Sequence, residues 1–241
     1  MRNRVLLISL VVVAALVAAL IAGELYARHT IKSCMTQQFK DEIGTHVDVG
    51  LSPKPMLLQL IDKKVPYITI DSDDTSFGPA KDMHVHVKVR DVEITDDSQT
   101  SSGTVGSSVA DASWSDDGIL TTMQDQAFGG LVSAVRSNES DGTLQFDVGP
   151  AGLAELTVKP HLVGDTVQVD TMNASLFGIG IPTDLVDGIV KVISASLQTY
   201  PLGMTPKSFK ITDTGLEISL SGGQFTMPPQ NMDMSKCGPL S

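Results

Sequence analysis

Two cysteines, one tryptophan, three tyrosines and seven phenylalanines are all that 241 residues contain of those types. A core so poor in rings is built from aliphatic side chains, and two cysteines allow one internal disulfide at most. Basic clusters are missing as well: 17 Lys and Arg stand against 28 Asp and Glu, for a formal net charge of −11. That excludes nucleic acid as a partner, because phosphate binding needs grouped Lys and Arg, and an anionic membrane surface repels such a chain. The Gly-x-Ser-x-Gly elbow of common serine hydrolases is absent too. Ser107 and Ser108 follow Gly106 in a polar stretch with no elbow, so they read as solvated loop serines rather than nucleophiles. No catalytic residue and no cofactor follow from the sequence.

Metal chemistry has little to stand on. His84 and His86 share one face of a strand pattern, and a third ligand such as Asp71 or Asp73 would be needed to complete a site. The favoured reading is a wet strand face beside Lys88 and Arg90. Asp71-Ser72-Asp73-Asp74 lacks the spaced glycine and distal glutamate of a calcium loop and reads as an Asp-rich turn.

What the sequence does have is an apolar run from Val5 to Gly23 without a charge. At 1.5 Å per residue it just crosses the ~30 Å of bilayer hydrocarbon. Arg2 and Arg4 before it and Glu24 after it place residues 1–4 in the cytoplasm, residues 5–23 in the membrane and residues 24–241 outside as one domain. An uncleaved anchor is favoured over a cleaved signal peptide and secretion, because the run is long and Leu20 or Ile21 falls at an outer cleavage position. Cys34 and Cys237 fit an oxidising compartment and an internal disulfide, the alternative being two free buried thiols. A loop that long is worth about 4–5 kcal/mol on the chain-entropy estimate.

Beyond the anchor, Leu25, Ile31, Cys34, Met35, Phe39 and Ile43 recur at helical spacing. Strands are expected over Val47–Leu51, Val65–Asp71, Met83–Ile94, Thr143–Val148, Leu153–Lys159, Asp165–Ser175, Ser208–Asp213 and Leu216–Leu220, with Gln224–Met227 as a further piece. Met83, Val85, Val87 and Val89 alternate with polar residues, which favours antiparallel pairing. Pro55 opens a short apolar helix or turn through Ile61. Ser115 or Asp116 caps a helix over Gly118–Phe128 carrying Ile119, Leu120 and Met123; Gly129-Gly130 ends it, with a continuation through Leu131, Val132 and Val135 past a kink as the alternative. A longer helix follows Pro182, with Leu185, Ile189, Val192, Ile193 and Leu197 on one broad face. Asp96–Ser108 reads as a loop or a weak strand edge. The fold class expected is α+β: a long curved antiparallel sheet wrapped over amphipathic helices, preceded by a transmembrane helix.

Pro55-Met56-Leu57-Leu58-Gln59-Leu60, then Leu202-Gly203-Met204 and Phe209 through Gly222, together with the anchor and its following helix, resemble the LmeA-like family of phospholipid-binding proteins of actinobacterial cell envelopes. The resemblance implies a tubular lipid-binding-like domain that takes a phospholipid's acyl chains, in envelope lipid or glycolipid assembly. It also leaves a phospholipase on the same fold as an alternative, with a structural envelope protein as a third. On periodicity alone Ile119, Leu120, Met123, Leu185, Ile189, Val192, Ile193 and Leu197 are ordinary core; the resemblance makes them candidates for the groove wall. Membrane lipid is the expected partner, and no protein partner is indicated.

Overall fold

A computed structural model describes residues 2–43, 47–77, 80–95, 101–149, 152–176, 182–198 and 200–228. Helix α1 (Arg2–Ile43) runs without interruption through the apolar segment and the amphipathic stretch beyond it. Its described part is long and apolar enough to cross a membrane, which makes it a candidate anchor or signal sequence. From Leu10 to Ile21 its large apolar side chains are exposed. Past Gly23 one face is covered: Ala27 is buried, and Glu24, Arg28, Ile31, Cys34 and Met35 are half-buried. Leu25, expected on that face, points away and is exposed, because it falls a quarter-turn off the 24, 27, 28, 31 row.

That covered face meets strand β1 (Asp48–Leu51) and helix α2 (Met56–Asp62). Pro55 precedes the first turn of α2, and the Met56 N–H donates to both carboxylate oxygens of Glu24 at 2.8 Å. The charge thus sits at the positive end of a helix. Arg28 pairs with the same carboxylate at 2.7 Å and donates to the carbonyls of Ser52 (2.9 Å) and Lys54 (2.7 Å). These bonds fasten α1 to the β1–α2 corner within two turns of the apolar segment's end.

Two antiparallel sheets follow, where one was expected. The larger has seven strands in the order β1-β2-β3-β4-β10-β9, formed with β2 (Lys64–Phe77), β3 (Ala80–Ile94), β4 (Gly103–Ser115), β9 (Thr205–Thr212) and β10 (Gly215–Gly222). Strand β11 (Phe225–Met227) continues along β4 beyond the end of β10. The smaller is a meander of β5 (Val132–Asn138), β6 (Thr143–Val148), β7 (Ala154–Val163) and β8 (Thr166–Leu176). Its β5 holds Val132 and Val135, so α3 is over before Gly129-Gly130, as the glycine pair suggested, and the alternative of a helical continuation past a kink gives way to a strand.

The second correction is larger. Gly103–Ser108, read as loop or edge, belongs to β4, an interior strand hydrogen-bonded to β3 on one side and to β10 and β11 on the other. Its small residues are an asset there: Gly103, Val105, Ser108 and Ala110 are buried under neighbouring elements where larger side chains would not fit.

Helix α3 (Asp116–Gln124) starts directly from β4 with the Ser115 hydroxyl accepting from the Gly118 N–H at 3.1 Å. It packs on β3 and β5 and so joins the two sheets. Helix α4 (Thr183–Leu197) packs on β8 and β3. Gly188 lets α4 settle on Phe128, since a Cβ there would lie 2.9 Å from the ring. Between the sheets and these two helices lies one aliphatic core with Trp114 and Phe146 as its largest fully buried side chains. The architecture is α+β, mostly antiparallel sheet.

Candidate functional site

Where the end of α4 meets the large sheet, the side chains of three adjacent strands line up across the register. Val85 lies beside Ala112 and Ala112 beside Ile218; Val87 lies beside Ala110 and Ala110 beside Leu220. With Met83 these form the floor of a cleft whose other wall is Ser196, Leu197, Tyr200 and Pro201. Of its lining only Ser196, whose hydroxyl donates to the Val192 carbonyl at 2.8 Å, and Tyr200 bring polar side-chain groups. The cavity is about 40 Å³.

The rim carries two unusual features. Tyr200 is half-buried, and its hydroxyl is buried without a hydrogen-bond partner. Burial pushes the phenol above its ordinary range, offset in part by the nearby Val167 backbone amide. Beyond it the 3-10 turn Pro201–Gly203 holds Leu202 at φ 53°, a left-handed conformation that costs a residue with a Cβ about 1 kcal/mol or more.

The eight sequence candidates are all part of the central cluster, though at different distances from the cleft. Ile119, Met123, Ile189 and Ile193 are fully enclosed, Leu185 and Leu197 are buried, and Leu120 and Val192 are half-buried against the same cluster. Leu197 alone lines the cleft. Sequence reasoning had Met83, Val85 and Val87 on a buried strand face but missed Ala110, Ala112, Tyr200 and Pro201 as their opposite numbers. The signal available was the alternation Ala110-Asp111-Ala112-Ser113-Trp114, small apolar with polar, which marks a strand just after the stretch read as loop or edge.

The opposite face of the same strands bears a wider, polar depression of about 440 Å³, lined by Asp71, Ser72, His84, His86, Asp111, Ser113, Glu217 and Ser219 together with Val85, Ala112 and Ile218. One row crosses four strands: Asp71 pairs with His86 Nδ1, His86 lies beside Asp111, and Ser219 donates to Asp111 at 2.7 Å. Among the described residues no group of three His, Cys, Asp or Glu converges in the manner of a metal site. Of the two serines read as solvated, Ser107 is half-exposed, whereas Ser108 is buried within the sheet, on β4, with its hydroxyl unpartnered. The correction follows from β4 being interior. Cys237 lies outside the described residues; among those described, no cysteine is free.

Two mycobacterial proteins align with 229 residues of the chain at 27% identity, covering 93% of it: uncharacterized protein Rv0479c of Mycobacterium tuberculosis (strain ATCC 25618 / H37Rv) and uncharacterized protein Mb0489c of Mycobacterium bovis (strain ATCC BAA-935 / AF2122/97). The chain spans 65% of the length of these relatives. No solved structure matches it. The model of the LmeA-like phospholipid-binding family matches residues 18–221, and on that match the chain belongs to the LmeA-like phospholipid-binding family.

Proposed function

We propose that the chain is a membrane-anchored envelope protein that holds phospholipid acyl chains in the cleft between α4 and the large sheet. The observation that carries this is the cleft itself: a floor of Met83, Val85, Val87, Ala110, Ala112, Ile218 and Leu220 offers an acyl chain an apolar track across three strands. Each methylene transferred from water is worth ~0.8 kcal/mol, so such a track holds lipid without a basic residue, in keeping with a net charge of −11. Family membership supports phospholipid as the ligand class.

In this reading α1 spans the membrane through residues 5–23, residues 1–4 are cytoplasmic, and residues 24–241 form one extracytoplasmic domain whose sheets wrap α3 and α4 like a tube. Leu197 touches the lipid. Leu185, Ile189, Val192 and Ile193 hold α4 in place as the movable wall, and Ile119, Leu120 and Met123 hold the far side. Cys34 pairs with Cys237, which fastens the end of the chain to α1. A role in envelope lipid or glycolipid assembly follows from the location and the ligand.

The test is lipid extraction from the purified full-length chain followed by mass spectrometry. Phospholipid at near-stoichiometric amounts is expected, and a thiol-blocking mass assay should find no free cysteine without reductant. Lipid no higher than in a control membrane protein of the same detergent load would reject the binding reading.

A further inference from the structure

Exposed large apolar side chains outside α1 occur in several places, Met172 at 60% and Leu131 and Leu153 at 46% among them, but two fall together on one short helix. Ile61 is 79% exposed and Leu58 52%, both on α2. Ile94, 42% exposed, is tied to the same place, because its N–H donates to the carbonyl of Lys63, the residue that closes α2, at 2.9 Å. The Glu24 carboxylate caps the first turn of α2, and Arg28 holds the segment leading into it. Glu24 is the first charged residue after the apolar run, so α2 is held level with the point where that run ends. Leu25 and Tyr26, exposed at 62% and 61%, lie within ~5 Å of the run's end along the helix axis, where a tyrosine anchors well at a membrane interface.

We infer that α2, with Ile94, is a membrane-docking surface: its apolar face inserts into the headgroup boundary of the bilayer that α1 crosses. This rests on the reading of α1 as an anchor. The occupant is a lipid surface because the patch is continuous with α1 at the depth where hydrocarbon gives way to headgroups. A protein partner would have to compete there with the bilayer itself. Charge does not drive the contact, since the neighbouring Lys54 and Lys64 are each paired, with Asp62 and Glu93. Apolar insertion of about 5–10 Å is the depth at which interfacial helices sit.

The experiment uses the full chain reconstituted in phosphatidylcholine–phosphatidylglycerol vesicles containing lipids brominated on the acyl chain, with one reporter tryptophan at a time. Leu20→Trp reports the anchor, Ile61→Trp the docking surface, and Met172→Trp the exposed face of β8; buried Trp114 gives the same background in each. Strong quenching at position 20, clear quenching at 61 and none at 172 is expected. In a Leu58→Asp, Ile61→Asp chain, which still floats with vesicles, an Ile94→Trp reporter should lose its quenching. Quenching at 61 no greater than at 172 while position 20 is quenched overturns the docking surface and leaves the anchor standing. No quenching at 20 overturns the anchor reading and the docking surface with it.

Discussion

Strands β3, β4 and β10 show opposite characters on their two faces. Toward α4 they present valine, alanine, isoleucine and leucine, closed over to about 40 Å³; away from it they present histidine, aspartate, serine and glutamate around an open depression of about 440 Å³. Neighbours in sequence feed opposite faces because side chains alternate along a strand. The apolar face owes its closure to α4 and the Pro201–Gly203 turn, and among the described residues no helix packs on the polar face to exclude water. Stability therefore resides on one face, and substitutions should separate the two.

The largest separation is expected from Trp114→Ala. Trp114 is fully buried on the closed face, and its indole N–H donates to the Lys81 carbonyl at 2.8 Å. Its loss should cost about 3–5 kcal/mol in urea unfolding. A loss under about 1 kcal/mol would mean the closed face is not the core. Next comes a pair of adjacent substitutions. Ala112→Phe should fill the closed cleft and remove co-purifying phospholipid at a cost of about 1–3 kcal/mol. Ser113→Phe, one residue on and facing the open depression, should retain the lipid. Equal retention would erase the functional difference between the faces.

A smaller effect is expected at the seam between the sheets. Asp116 at the start of α3 accepts from both the N–H and hydroxyl of Ser137 in β5 at 3.1 Å. Burial pushes its carboxyl above the ordinary range, and the Ser137 donors pull it partly back. A folded pKa raised above the unfolded one gives stability that is full below the unfolded value and lost as pH rises through the folded one. Relative to Asp116→Asn, the wild type should therefore gain as pH falls from neutral toward 4, measured as midpoint differences in parallel melts. A gap that stays constant with pH would show that the seam does not sense the proton. Least of all should change with His86→Ala: its pairing with Asp71 joins two half-exposed side chains on the open face, and its removal should stay below about 1 kcal/mol.

Much of this was legible in the sequence for a plain reason. Period-two alternation in Met83–Val89 and period-3.6 spacing in α4 are strong signals, and the buried residues fall where they were expected. β4 was not legible from its composition, because glycine and serine are poor strand formers and β4 earns its place through neighbours on both edges. Its pattern also breaks phase: buried positions run 103 and 105, then 108 and 110. The same switch occurs in β3 between Val89 and Val92, where Asp91 takes φ 53° opposite Gly106. Division into two sheets was hidden because sequence alternation gives faces, not partners. The cleft was only half visible, since its floor is cross-strand register and its wall is the residues just after α4, where helical periodicity has ended.

A cavity of about 40 Å³ is smaller than any acyl chain, so lipid binding in this cleft, as proposed, requires its walls to part. On that proposal lipid would be held only in an open population, and the measured affinity would be the intrinsic one multiplied by the open fraction. If about 1% of molecules are open, binding weakens about 100-fold. The left-handed Leu202, between Pro201 and Gly203, stands where such an equilibrium would be set. On the same proposal, a change that relaxes that turn would alter lipid loading with no new contact to lipid, so retention and release would be properties of a three-residue turn as much as of the cleft floor.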